Sequence, residues 1–330
     1  MDASSRFLIH QPTGGELIEF LRIVELQAAT AHAAQVMGVF AGLLGETNAI
    51  EGWRKLEQVY SAKTQTLWKE DWFYDFDTRN GELVTSVGHD LGQVAPVFCG
   101  IASRDQTEKM RPVLRKFHSD SMARHLPASE DWQDGLHWSS LVLPYLESLW
   151  AAGEKELVSQ VVDTVAERIY ATMDRRTLTP PGVTQKLGWP GVSCEVWGGE
   201  GAYGGEGYGW GAVLPAHIIR NLIGFRDAKR FDELPLSPNL PDSFMVSGKS
   251  YGARNLQLGE DRLNIKMHVL DARRVRLEGK WSNSLRTASV KDSAGKGLAL
   301  RSNDLDWQFE GYNREEYFLS LAGAALPGKR

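Results

Sequence analysis

Cys194-Glu195-Val196-Trp197-Gly198-Gly199-Glu200-Gly201-Ala202-Tyr203-Gly204-Gly205-Glu206-Gly207-Tyr208-Gly209-Trp210-Gly211 is the most distinctive stretch of the chain. Extended back to Gly188, it holds ten glycines, three carboxylates and three tryptophans. Gly199 to Gly204 match the spacing G-x-G-x-x-G, but no βαβ pattern precedes them. Glu200 would stand against a pyrophosphate, and no acidic residue follows at the distance that reads a ribose. Gly248-Lys249-Ser250 is not a P-loop either, because Ser243 occupies the place of the first glycine. What remains is a backbone that can pass close to a ligand, with Glu195, Glu200 and Glu206 as carboxylates that could act on it. The same three glutamates are also what a solvated glycine loop would carry.

On either side of this segment the dominant period is helical. Leu17, Leu21, Val24, Ala28 and Ala31 form a stripe that Val36, Phe40 and Leu43 continue to Gly45. A second stripe runs through Trp53, Leu56, Tyr60, Thr64 and Leu67. Further helices are expected over 91–102, 107–117 and 138–150, along Leu157, Val161, Val165 and Ile169, and over 211–223 with Pro215 in the first turn. The connections alternate between short turns (Gly45-Glu46, Gly153-Glu154) and long aromatic, acidic loops over 68–89, 118–137 and 177–208. Paired helices with their elaborate loops on one side describe a toroid of hairpins, and function then belongs to the long loops.

The prolines of Leu234-Pro235-Leu236-Ser237-Pro238-Asn239-Leu240-Pro241 read as a linker. Beyond them the period becomes two, as in Leu263, Ile265, Met267 and Val269. The expected fold is mainly α: a toroid of paired helices over 1–236, followed by a small antiparallel β domain of about six strands over 237–330.

Composition narrows the function. The chain has 330 residues and a net charge of -5, which argues against a general nucleic-acid or anionic-membrane binder. Two cysteines, Cys99 and Cys194, fit a reducing compartment. Met1 to Phe7 lacks the pattern of a signal peptide, and no apolar run is long enough for a membrane span, so a cytoplasmic monomer is expected. The scattered histidines and the cysteines show no metal-ligand spacing, and no metal or cofactor is expected. No G-x-S-x-G elbow occurs. Eleven tryptophans, however, exceed what a core alone demands. Aromatic faces beside carboxylates suit sugars, and glycoside hydrolysis needs a carboxyl pair, one as acid and one as base or nucleophile.

Three blocks resemble the C-terminal half of the six-hairpin (α/α)6 glycoside hydrolases, the superfamily of processing α-glucosidase I and mannosylglycerate hydrolase. The first is Leu67-Trp68-Lys69-Glu70-Asp71-Trp72-Phe73-Tyr74-Asp75-Phe76-Asp77, similar to "LW-x-E-x-G-F-Y-x-D". The second runs from Asp134 through Trp138 to Trp150 and Gly153-Glu154 and is similar to "W-x-G-x-x-W-P … L … G". It departs from the pattern at Ser139-Ser140 and Leu143. The third joins Glu195-Val196-Trp197, the glycine loop, Gly209-Trp210-Gly211-Ala212 and Ile223-Gly224-Phe225-Arg226, and looks like "E-x-Y … G … W-[ST/G]-A … I-x-G-[IFL]-R".

The resemblance implies that the helical part is a partial (α/α)6 toroid, and that the protein is an inverting O-glycosidase with Glu195 as general base and a carbohydrate partner. Trp197, Trp210, Trp72, Trp138 and Tyr208 would line the sugar site. The family's general acid, an aspartate, belongs to the half that precedes the first block. Asp131 and Asp134 are the best substitutes in this sequence, and the chain is expected to be part of a longer enzyme. The alternatives are a non-catalytic sugar-binding remnant of the same fold, or an isomerase or lyase using His89 and His137.

Overall fold

A computed structural model describes residues 20–85, 89, 91–117, 137–138, 142–174, 194–198, 201–206, 213–226, 232–283 and 285–322, with backbone alone for 137–138, 168–174, 194–198 and 201–206. Two compact units emerge: Met1–Glu154 with Glu167–Ala212, and Lys155–Ala166 with Val213–Arg330.

The first unit begins with strand β1 (Leu21–Arg22), helix α1 (Val24–Leu44) and helix α2 (Thr47–Gln65). Leu21 is a strand residue paired with Asp77, so the helical stripe expected from Leu17 starts only at Val24. There Asp75 accepts a 2.8 Å hydrogen bond from the Val24 N–H and fixes the helix start. Gly45, at φ 77°, ends α1, and the Glu46 N–H reaches the Ala41 carbonyl to turn the chain into α2. The buried side of α1 is Val24, Ala28, Ala31, Ala34 and Ala41. Leu26, Val39, Phe40 and Leu43 are exposed instead, although the sequence stripe places Phe40 and Leu43 on the buried side. Gly38 and Gly42 admit the close approach of α2 at Trp53 and Ile50, while Ala28 packs with Ala95 and Cys99.

Residues expected as the loop 68–89 contain four short strands: β2 (Trp68–Lys69), β3 (Trp72–Phe73), β4 (Phe76–Asp77) and β5 (Glu82–Leu83). A 3-10 turn at Leu91–Val94 leads to α3 (Ala95–Phe98) and α4 (Arg104–Lys116). Ser103 and Gln106 form a reciprocal capping box that starts α4 three residues before the expected Thr107. Strand β6 (His137–Trp138), α5 (Val142–Ala151), α6 (Lys155–Asp174), β7 (Cys194–Gly198) and β8 (Gly201–Glu206) follow. Met110, Leu114, Phe117, Tyr145, Leu146 and Leu149 form the fully buried contact between α4 and α5.

The second unit takes the first twelve residues of α6, then α7 (Leu214–Ile218), which widens into a π turn at Ile219–Ile223. Its strands are β9 (Glu233–Leu236), β10 (Ser250–Leu258), β11 (Asp261–Val269), β12 (Arg274–Trp281), β13 (Arg286–Asp292), β14 (Arg301–Asn303), β15 (Asp306–Tyr312) and β16 (Tyr317–Ala322). They form an antiparallel sheet in the order β10-β11-β12-β15-β14 and another in the order β13-β16-β9. The period-2 reading holds: Leu263, Ile265, Met267 and Val269 are buried and the residues between them are not.

The expected border at 236/237 falls inside this unit. Leu234, Leu236, Ser237, Asn239 and Leu240 are buried, and Pro235 sits on the edge strand β9, where its missing N–H breaks no ladder. Asn239 donates to the carbonyls of Lys155 and Asn221, and Lys155 donates to that of Arg314. These bonds tie residues 155–166 and 213–226 to the strands, so the proline stretch is packed chain and not a linker. No helix among the described residues is long and apolar enough to cross a membrane.

Candidate glycine-hairpin site

The long glycine loop is in part a β-hairpin. Val196, Trp197 and Tyr203 are strand formers, and Gly198 pairs with Gly201 where β7 turns into β8. Register changes inside this hairpin. Cys194 pairs with Glu206, whereas Val196 pairs with Tyr203. Glu195 alone therefore stands opposite two residues, Gly204 and Gly205. An extra residue of this kind is a β-bulge, which bends its strand, interrupts the ladder and re-aims neighbouring groups. Glycine is the residue that allows it without steric cost.

On its other edge β7 pairs with β6, matching Trp138 with Val196 and His137 with Trp197. The backbone thus assembles Trp138, Glu195 and Trp197 into one three-stranded sheet from segments far apart in sequence. The hairpin corrects the expectation of loop over 177–208, and the strand at 137–138 corrects both the loop expected to end at His137 and the helix expected to start at Trp138, which begins only at Val142. Their signal lies in the short alternating runs around the glycines. Trp210, Tyr208, Asp131 and Asp134 lie outside the described residues.

Trp72 does not join this group. It was expected to line a sugar site, but its ring is fully buried and its indole N–H donates to Gln93 Oε1. The His89 ring lies 4.8 Å away, tilted by 55°, and Phe117 lies at 6.1 Å. With no accessible face, Trp72 cannot stack on a pyranose. It holds the chain after the β2–β3 hairpin against α4. Glu70, in the turn of that hairpin, adopts φ 59°, a conformation uncommon for a residue with a Cβ.

Tyr74 Oη lies 3.2 Å from Nε2 of His89, which packs between Trp72 and Tyr74. Partial burial raises the Tyr74 pKa, with smaller contributions from the Asp71 and Glu70 carboxylates. The phenol therefore stays protonated over the physiological range. His89 sits in an aromatic cage. At Cys99, burial among Ala28, Ala95 and Ile101 pushes the thiol up to about 11, so it is an inert core side chain. Among the described residues no group of three His, Cys, Asp or Glu side chains is placed to hold a metal ion.

No protein-family model and no curated protein matches the sequence. Solved structures do. The chain is similar to a GH63 mannosylglycerate hydrolase from Thermus thermophilus, solved in complex with glucose, at 16% identity and a TM-score of 0.48. That match covers 65% of this chain and 52% of the hydrolase. It is also similar to neutral trehalase Nth1 from Saccharomyces cerevisiae, at 12% identity and a TM-score of 0.45, covering 61% of this chain and 38% of the trehalase. The chain spans about half the length of the hydrolase.

Proposed function

We propose that this chain contributes the general-base side of an inverting glycoside hydrolase site, built on a partial ring of helical hairpins. Glu195 takes a proton from water as the water oxygen attacks the anomeric carbon. The glycosidic C–O bond breaks, and a carboxylic acid protonates the departing oxygen. Asp131 and Asp134 are the candidates for that acid within the sequence. Trp197, Trp210 and Tyr208 hold the sugar, whose apolar faces stack on aromatic rings.

The observation that carries this reading is the register of the glycine hairpin. Glu195 occupies the position facing the Gly204-Gly205 bulge, on the strand that carries Trp197 and beside the one that carries Trp138. Two residues named from the sequence motif, Glu195 and Trp197, thus share one face of β7 at a backbone irregularity of the kind that accompanies active sites, whereas Trp138, paired with Val196, takes the register position of the other face.

The test is hydrolysis of a panel of aryl glycosides, with NMR of the anomer released. Inversion at the anomeric carbon, lost in Glu195→Gln, supports the proposal, and retention overturns the mechanism. Sugar binding that survives Glu195→Gln and is abolished by Trp210→Ala, without any turnover, would identify a non-catalytic binding module.

A further inference from the structure

A second feature lies in the β unit and is independent of Glu195. The outer face of the five-stranded sheet is concave, with a cavity of about 740 Å³ lined by residues from all five strands. Four basic side chains line it, Arg254, Lys266, Lys280 and Arg301, against two acidic ones, Glu278 and Asp306. That is an excess of positive charge on a chain whose net charge is -5.

Both acids are already engaged. Glu278 meets His268 Nε2 at 2.9 Å and Arg276 Nε at 3.3 Å, and Asp306 meets Lys280 at 3.7 Å. His268 is held in turn by Ser250 at 2.8 Å. Arg254, Lys266 and Arg301 are exposed and have no side-chain partner among the described residues. The register sets Lys266, Glu278, Gln308 and Arg301 in one row across four strands. Lys266 and Arg301 are therefore three strand spacings apart, roughly 14 Å.

Arg301 and Gln308 also line a neighbouring cavity of about 850 Å³, which adds Arg276, Lys296 and Tyr312 together with the carboxylates of Asp292, Glu310 and Glu315, so the surplus of positive charge belongs to the first cavity. The two cavities share a wall and suit an extended ligand rather than a single ion. Between the cations stand Asn264, Asn303 and Gln308, whose amides can serve hydroxyl groups. The aromatic side chains at the first cavity turn inward: Trp307 is buried and Tyr251 bonds the Phe244 carbonyl. Tyr312, 55% exposed, is a single platform in the second. A single-stranded nucleic acid would call for a series of such rings, whereas one ring with amides and spaced cations fits a sugar chain.

We propose that this face binds an acidic oligosaccharide, with Lys266 and Arg301 receiving carboxylates on different sugar units and Tyr312 stacking on a pyranose ring. Isothermal titration of the full chain with a galacturonate hexamer tests it at low and high salt. Binding is expected at low salt, weakening as salt rises. Maltohexaose is expected to bind at least about tenfold more weakly, and the Lys266→Gln/Arg301→Gln protein to lose about tenfold or more for the acidic hexamer. The Arg273→Gln/Arg286→Gln protein, which loses the same charge elsewhere, should stay within about twofold.

No binding of the hexamer at low salt overturns the inference, as does equal weakening in both double variants. Displacement of the hexamer by an equal concentration of inorganic phosphate would overturn it in favour of a simple anion site. Tighter binding of a thymidine oligonucleotide would overturn it in favour of a nucleic-acid surface. Because binding is read without turnover, a failed glycosidase assay leaves this result intact.

Discussion

Trp138 pairs with Val196 across the β6–β7 ladder, one residue from the point where Glu195 faces the Gly204-Gly205 bulge. The pairing joins the short strand before α5 to the residue that follows the glutamate. It also makes the bulge a testable element. Deleting Gly205 leaves one residue opposite Glu195 and restores a regular ladder. Sugar binding and turnover should then fall by about tenfold or more, with the melting temperature nearly unchanged. Calorimetric titration with sugar and a thermal melt on the same sample check both.

Trp72 belongs to the core. Trp72→Ala should destabilise the chain by about 3–5 kcal/mol in denaturant unfolding. Trp72→Phe keeps most of the volume but removes the donor to Gln93, and should cost about 1–3 kcal/mol. A sugar-stacking role would give the reverse pattern, with lost affinity and little lost stability.

His217 is 3% exposed, and burial, helped by Arg220, pushes its pKa down to about 4 from 6.5. The unfolded chain therefore binds this proton first. Stability is complete above pH 6.5 and is lost as pH falls toward 4, by about 3 kcal/mol over the window. Unfolding free energies measured across that range should show the slope, and His217→Gln should flatten it whatever its absolute stability.

Asp261 anchors the β unit. Its carboxylate accepts from the backbone N–H of Arg262, Ser282, Asn283 and Leu285 and from the Ser282 hydroxyl. Asp261→Ala removes the shared acceptor, leaves the buried Leu285 N–H without it, and should cost about 1–3 kcal/mol in urea unfolding.

Legibility in the sequence follows periodicity. The β11 alternation and the α2 stripe are strong because each element keeps one continuous face toward its neighbours, and both can be read at close to their true extent. The start of α1 cannot, because it depends on Asp75, far along the chain and invisible to a local pattern. The proline stretch misleads for a related reason: its burial comes from Lys155, Asn221 and Arg314, none of them neighbours in sequence. At the candidate site, residue types and motif point to Glu195, Trp197 and Trp138. The bulge at Glu195 is a matter of register, which glycines permit without specifying. Trp72 shows the converse, since a tryptophan in a motif carries no mark of which of its faces are covered.

Activation of water by Glu195 is tested most directly by comparing glycoside hydrolysis by the chain and by Glu195→Gln, with folding and sugar affinity verified in both. General-base catalysis predicts a loss of turnover of about 10²–10⁴-fold with affinity retained. Equal turnover in the two proteins, or none in either, would contradict it.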